Sequence, residues 1–219
     1  MIYTGSYYNF KSKLYNTYSI SGDRGKMANY EGKCYPKLAP KKDFWQVWHD
    51  NIGKISEEEN LKYYIREYYL QVLSKLDIDE VYRELNNSIL LCYEDVDEFC
   101  HREIVASWFE IFLGEEVPEV KPAKYMPTII NVKRTERYKF IKDYLKEVIK
   151  SNNDMKGFTS FTAYHLYEKS EKLQARAEQL EKLKNKDSEY VRREACRIRC
   201  DAEIAECEYK ILVNKKNKQ

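Results

Sequence analysis

Glycine and proline are scarce in this chain, 7 and 5 of 219 residues, which excludes collagen-like repeats and the low-complexity composition of disordered linkers. Net charge is equally small. With 38 basic residues against 36 acidic ones, no global field selects a polyanion or an anionic membrane surface as partner. No apolar run approaches the roughly 20 residues of a membrane span, and no charged-then-apolar leader opens the chain. Neither a GxGxxG nor a Walker pattern occurs, so the standard glycine-rich phosphate cradles are missing. The six cysteines, at 34, 92, 100, 196, 200 and 207, form no CxxC pair and no regular framework, which fits reduced thiols in a cytoplasm.

What is present is dense charge of both signs, 34% of residues, in a balance typical of helix-rich proteins. Tyrosine is abundant at 20, which supplies stacking and interface surface or simply reflects an A/T-rich coding bias. Ile2-Tyr3-Thr4 and Thr17 to Ser21 are short β-type runs, ended by Gly5-Ser6 and by Gly22-Asp23-Arg24-Gly25. Phe44, Trp45, Val47 and Trp48 share a helical spacing that predicts a buried face, with both tryptophans in the core. Ser56 and Glu59 have the spacing of a capping box before a helix over 57–76, and a short helix over 78–85 leads into a strand at Ile89 to Cys92. A further helix is expected from near Phe99 to about Leu113.

This alternation predicts an α/β domain over 1–117 with a small, at least partly parallel sheet and flanking helices. Prolines crowd Val117-Pro118 through Met126-Pro127, so 118–133 is expected to be a linker or surface strap. Residues 134–219 then form a helical arm with a basic tail. Its first helix runs from Arg134 to Lys150, and Gly157 opens the remainder. Leu166, Leu173 and Leu180 fall seven apart, as in a coiled coil. The stripe resumes at Tyr190/Val191, Ile198, Ile204/Ala205 and Ile211/Leu212. The change of phase between Leu183 and Tyr190 fits either an antiparallel hairpin or an insertion in one continuous helix.

Several blocks, in order, resemble a known family. They are Ile2-Tyr-Thr, Ser19-Ile20-Ser21, Tyr35-Pro-Lys-Leu-Ala-Pro40, Tyr69 to Leu76, Leu90-Leu-Cys-Tyr-Glu94 and Phe99-Cys-His-Arg102, and together they resemble the domain of unknown function 488 over roughly residues 1–117. The resemblance implies a small Rossmann-like α/β domain of uncharacterised activity. The turn Gly22-Asp23-Arg24-Gly25-Lys26 departs from it, since a proline is common there, and the chain beyond about 120 falls outside it.

The candidate site is Ser88 to Arg102, where an apolar strand gives way to a polar turn and then to Cys100, His101 and Arg102 at a helix start. Unpaired amides and neighbouring cations there favour a thiolate, making Cys100 and His101 the candidate catalytic residues, while Asp95, Asp97 and Glu98 oppose ionisation. Gly5 and Ser6, Arg24, Glu94 and Arg102 are the candidate ligand-binding residues, converging on one sheet edge if the strands are parallel. They would suit a nucleotide-like, nucleic-acid or other phosphorylated anion. In a purely structural account Cys100 packs as a small hydrophobe, Asp97 or Glu98 caps the helix, and Arg102 pairs with a carboxylate such as Glu94. A zinc site from Cys92, Glu94, Cys100 and His101 matches no standard spacing and Cys92 is expected to face the core, so no metal is expected and no cofactor is named. His49 and His165 are expected to be ordinary surface or core histidines.

The competing expectation is an interaction protein. There the arm would bind a second copy or a protein partner through an exposed seam of Leu173, Leu180, Ile198 and Ile204. Nucleic-acid binding by Lys182, Lys184, Lys186, Arg192, Arg193, Arg197 and Arg199 is blunted by interleaved acids.

Overall fold

The computed structural model describes residues 1–10, 14–125, 128–152 and 158–216, with the side chains of Leu212, Lys215 and Lys216 outside the description. Met126, Pro127, Asn153 and Gly157, on which sequence expectations fall, also lie outside it. The chain separates into two compact units, Met1–Asn152 and the segment that follows.

The first unit is built on a six-stranded sheet. Its strands are β1 (Tyr3–Ser6), β2 (Thr17–Ser19), β3 (Lys33–Cys34), β4 (Ile89–Cys92), β5 (Glu119–Pro122) and β6 (Ile129–Val132), in the order β3-β2-β4-β1-β5-β6. All neighbours are parallel except β5 and β6, so the sheet is mixed, as expected for a Rossmann-like core. β4 lies at the centre with all four residues buried, and its unbroken apolar run is what a strand covered on both faces requires. The register Ser6↔Cys92 and Ser19↔Leu91 brings the carboxyl ends of β1, β2 and β4 to one edge.

Alternation along β4 divides its side chains between two environments. Ile89 and Leu91 join Val120 of β5 and Tyr7 and Phe10 of the loop after β1 in one apolar cluster. Leu90 and Cys92 face the opposite way, toward the helices. These are α1 (Lys42–Asp50), α2 (Glu57–Gln71), α3 (Ile78–Leu85), α4 (His101–Leu113) and α5 (Glu136–Asn152). Ser56 and Glu59 form the expected capping box at the start of α2. Helix α4 is buried along nearly its whole length, packed against β1 and β4 and against α5, and Gly114 in the left-handed region ends it.

Two expectations about the chain's organisation change. The described residues of 118–133 include the paired strands β5 and β6 and are not a surface strap: Glu119 pairs with Thr4 of β1, and the two strands bond in antiparallel register from Glu119↔Val132 to Pro122↔Ile129. The prolines mislead because Pro122 sits at the strand end, where a missing N–H costs little. Helix α5 packs on α2 and α4 within the first unit, so the arm proper begins after Asn152.

The second unit is an antiparallel hairpin of α6 (Phe161–Lys182) and α7 (Ser188–Lys216). The turn carries a Schellman pattern. Lys184 takes a left-handed φ of 51°, its N–H meets the Glu181 carbonyl at 2.9 Å, and the Asn185 N–H reaches Leu180 at 2.9 Å. Small residues let the helices approach, with Ala163 and Ala177 of α6 and Ala195 and Ala202 of α7 buried, and Ile198 of α7 is buried with them. The expected exposed seam is therefore divided: Ile198 lies in the hairpin core, Leu173 and Leu180 are half-buried, and Ile204 points outward. Arg192, Arg193, Arg197 and Arg199 each meet an acid of the same unit, which removes the simple picture of a basic face for nucleic acid.

Glu206 of α7 closes the other end of the hairpin. Its carboxylate accepts the N–H groups of Thr159 and Ser160, at 3.0 and 2.8 Å, and the Thr159 hydroxyl at 2.5 Å, satisfying amides at the start of α6. Burial raises its pKa, but these bonds and Lys210 outweigh burial and hold it at about 2. Glu206→Gln is expected to weaken the hairpin by about 1–2 kcal/mol, seen as faster hydrogen exchange at the start of α6. The stabilisation is complete above the ordinary carboxylate value of 4.5 and is lost as pH falls toward about 2, a dependence the glutamine variant should lack.

Candidate functional site

Beyond Cys92 the chain leaves the sheet through Tyr93 and Glu94, turns over 95–99, and enters α4 with Cys100 as its N-cap. The turn is held by Arg137 of α5, whose guanidinium donates to the carbonyls of Val96, Asp97 and Glu98 at 3.0, 2.9 and 2.8 Å and to Glu103 at 3.1 Å. Cys100 has extended backbone, φ −139° and ψ 142°, so it escapes the 100° helical divergence from His101. As a result Cys92, Cys100 and His101 converge. The His101 Nδ1 lies 3.6 Å from the Cys92 sulfur and 3.8 Å from the Cys100 sulfur, and all three side chains are buried. On the far side of the ring, Nε2 is 3.0 Å from the Ile20 carbonyl and donates to it.

The cluster forms the floor of a cavity of about 680 Å³ outside the carboxyl ends of β2 and β4. Tyr8, Trp45, Trp48, Tyr64 and Phe99 line its walls, and Ser21, Asp23, Tyr93 and Glu94 add polar groups. Trp48, Tyr64 and Phe99 contact one another with centroids 5.1–5.6 Å apart. The two tryptophans expected in the core are thus cavity residues. Trp45 is exposed and stacks on His49, while Phe44 is the residue α1 buries.

The electrostatics of the floor are strongly asymmetric. Burial pushes the Cys100 thiol up, but the Cys92 thiol, the Arg102 guanidinium and the His101 ring override it and hold it well below the ordinary range. Cys92 moves the other way, through burial and the adjacent Cys100. Burial, reinforced by the charge on Cys100, lifts Glu94 to about 7, and its Oε2 is buried without a hydrogen-bond partner. Burial lowers the His101 pKa, and Cys100 and Glu94 raise it beyond that loss. Such an arrangement can supply a thiolate, a proton donor and a set of soft metal donors within one wall.

The remaining candidate residues are placed elsewhere. Arg102 is not among the cavity's lining residues, and its ion-pair partner is Glu119, not Glu94: Nε donates to Glu119 Oε1 at 3.1 Å, with the guanidinium almost wholly enclosed. Thr4 and Arg134 complete that network. Ser6 is buried and donates to the Tyr93 carbonyl at 2.9 Å. Gly5 is needed for packing, since a Cβ there would come within 2.7 Å of the Phe10 ring. Both belong to β1 and not to the turn after it. Arg24 is exposed, at a positive φ of 63°, away from the cavity lining. Glu94, Cys100 and His101 are the predicted residues that meet in the cavity.

Sequence reasoning overlooked Asp23 and Arg137. Asp23 accepts from the Tyr93 hydroxyl, from Ser21 at 2.8 Å and from the amides of Gly25 and Met27 at 3.1 and 3.2 Å; burial raises its pKa, and these bonds bring it below the ordinary value. Its position two residues before Gly25 is the signal that marks such an Asx turn. Arg137 carried no local signal, because its partners lie about 40 residues earlier. A second cavity, of about 730 Å³, is lined by Tyr7, Tyr15, Tyr30 and Lys33 among others, and among the described residues no sulfur or imidazole lines it.

Residues 13–111 match the family model DUF488-N3a, described as the active DUF488-N3 subclade. No curated protein and no solved structure matches the chain. The matched span holds Cys92, Glu94, Cys100, His101 and most of the aromatic wall; β1, β5 and the second unit lie outside it.

Arg102→Ala leaves Glu119 buried without this partner, so it should cost stability, by about 3–5 kcal/mol, whatever it does to ligands. Denaturant unfolding of the variant, set beside its metal and ligand binding, checks this structural assignment.

Proposed function

We propose, for a chain whose residues 13–111 are a domain of the DUF488-N3a family, that the cavity at the sheet edge takes a small ligand bearing a planar ring, nucleoside-like in character, and exposes it to the Cys92, Glu94, Cys100 and His101 cluster for chemistry. The observation that carries this proposal is the convergence of an aromatic wall and a polar, reactive floor in one crevice at the carboxyl ends of parallel strands. Stacking on Trp45, Trp48 and Phe99 would hold the ring, and Asp23 and Glu94 offer hydrogen-bond partners at its edge. The charge pattern argues for a modest anionic part. Lys42 is in the lining, while Arg24 and Arg102, expected among the ligand-binding residues, are not. The family's description as an active subclade and the buried, partnerless Glu94 oxygen both support catalysis over a purely structural role. Six free thiols support a reducing, cytoplasmic setting.

Titrating the chain with adenosine, guanosine, cytidine and uridine and their monophosphates, followed by tryptophan fluorescence, tests the proposal. Binding of at least one is expected, with Trp45→Ala weakening it about tenfold through lost stacking. No response to any of them up to about 1 mM, a free energy of about −4 kcal/mol, would remove the nucleoside class.

A second role is favoured by one feature of α7. Tyr190, Ile204 and Ile211 are exposed at intervals of 14 and 7 residues, which places them on one heptad stripe of the outer face. We propose that this stripe pairs with the same stripe of a second copy. Ile204→Asp should then convert a dimer to a monomer by light scattering without altering helical content, whereas a monomeric parent chain would refute the pairing.

A further inference from the structure

We infer that Cys92, Cys100 and His101 form a three-ligand site for a soft divalent metal, zinc by its chemistry, open to the cavity on its fourth side. The inference deepens the preceding proposal by naming the cofactor, and rests on that cavity being the functional site.

Donor geometry carries the argument. Zinc bonds of about 2.3 Å to sulfur and about 2.0–2.1 Å to nitrogen, at tetrahedral angles, place sulfur and nitrogen about 3.6 Å apart. The two measured sulfur-to-Nδ1 separations are 3.6 and 3.8 Å, and the three donor atoms all lie within 4.8 Å of one another. The imidazole is oriented for the task. Its Nε2–H is committed to the Ile20 carbonyl at 3.0 Å, which points the Nδ1 lone pair at the sulfurs in the manner of an outer-shell partner.

The donor set is sulfur-rich and buried, which selects zinc over magnesium or calcium, cations that demand oxygen. Because all three ligands line the cavity, the position left by a three-protein-ligand site faces whatever occupies it. Three ligands with one open place is the pattern of catalytic zinc, in which a bound water or substrate oxygen is polarised. Glu94 follows Cys92 by two residues and lines the same cavity.

Spacing could not show this site. Cys92 and His101 are nine residues apart across a strand, a turn and a helix start, and Cys100 and His101 are adjacent, so no finger or ribbon pattern arises.

The decisive measurement uses the full chain with the half-exposed Cys34 and the exposed Cys196, Cys200 and Cys207 replaced by serine, so that signal comes from the buried pair. After reduction and dialysis against cobalt(II), a tetrahedral thiolate site gives sulfur-to-cobalt charge transfer in the near ultraviolet and visible d–d bands, both displaced by about one zinc per chain. Cys92→Ser and His101→Ala should each weaken zinc binding by more than the roughly 10–100-fold lost with an outer-shell partner. Trp45→Ala should leave zinc content unchanged. Absence of these bands in the unaltered cluster, with both buried thiols free to react with a thiol reagent, overturns the inference without reference to any variant's folding. A metal-free chain that still binds a nucleoside refutes the metal alone, and a zinc-loaded chain that binds none refutes the nucleoside proposal alone.

Discussion

The ion pair between Arg102 and Glu119 ties together the parts of the first unit that the site depends on. Arg102 belongs to the first turn of α4 and Glu119 to β5, and the Thr4 hydroxyl of β1 donates to the same carboxylate at 2.7 Å. Arg134, just before α5, reaches both Thr4 and the Val117 carbonyl. Two charges in a nearly sealed environment are costly unless well partnered; strand, helix and connecting segments supply partners to the Glu119 carboxylate, while Arg102 Nη1 is buried without a hydrogen-bond partner. The pair therefore fixes the rotation of α4 on the sheet. With Arg102 turned toward β5, the preceding residues are left at the carboxyl edge of β4, where Cys100 and His101 meet Cys92. One helix turn thus carries both the buried ion pair and the reactive cluster, and the Arg102 guanidinium also bears electrostatically on the Cys100 thiol.

That division explains what could and could not be read from the sequence. The apolar run 89–92, the capping box at Ser56 and the helix after Phe99 follow from local periodicity and capping, and the structure forms all three. Cys100, His101 and Glu94 could be singled out because they are rare, chemically loaded types clustered at a strand-to-helix turn. Arg102 stands beside them in sequence, and only the position of Glu119, 17 residues later, reveals that it faces elsewhere. The β5–β6 hairpin was hidden by its prolines, and β3 by its length of two residues. Trp45 and Trp48 have the spacing of a buried face, but a helix beside a cavity has a third environment, neither core nor solvent, that periodicity does not distinguish.

The turn 95–99 shows how rigidity reaches a loop without regular structure. Three consecutive carbonyls of that turn would otherwise depend on water, and one guanidinium from α5 satisfies all three. Arg137 also contacts Glu103 in the first turn of α4, so the same side chain couples the loop to the helix it feeds. The cluster at Cys100 is held from behind by this loop and from below by the sheet. Pre-organisation of that kind is what a binding or catalytic floor needs, since ligand contacts lose their value when the groups must first be ordered.

The tyrosine content admits a compositional origin, yet the structure uses many of these rings in ways phenylalanine would not serve. Strand β2 and the residues just after it carry Thr17, Ser19 and Ser21, all buried, whose hydroxyls need partners away from water. Tyr7 meets Ser19 and Ser21 at 2.5 and 2.9 Å, and Tyr30 meets Thr17 at 2.8 Å. Tyr93 fixes Asp23 at the cavity wall, and Tyr68 donates to the Leu38 carbonyl at 2.5 Å beneath it. Each ring buries apolar area while its hydroxyl satisfies a polar group that a polar strand would otherwise leave stranded. A sheet with serines and threonines on one face can therefore be covered by loops in place of helices, and the crevice beside those loops stays free for the aromatic wall and the sulfur and imidazole floor.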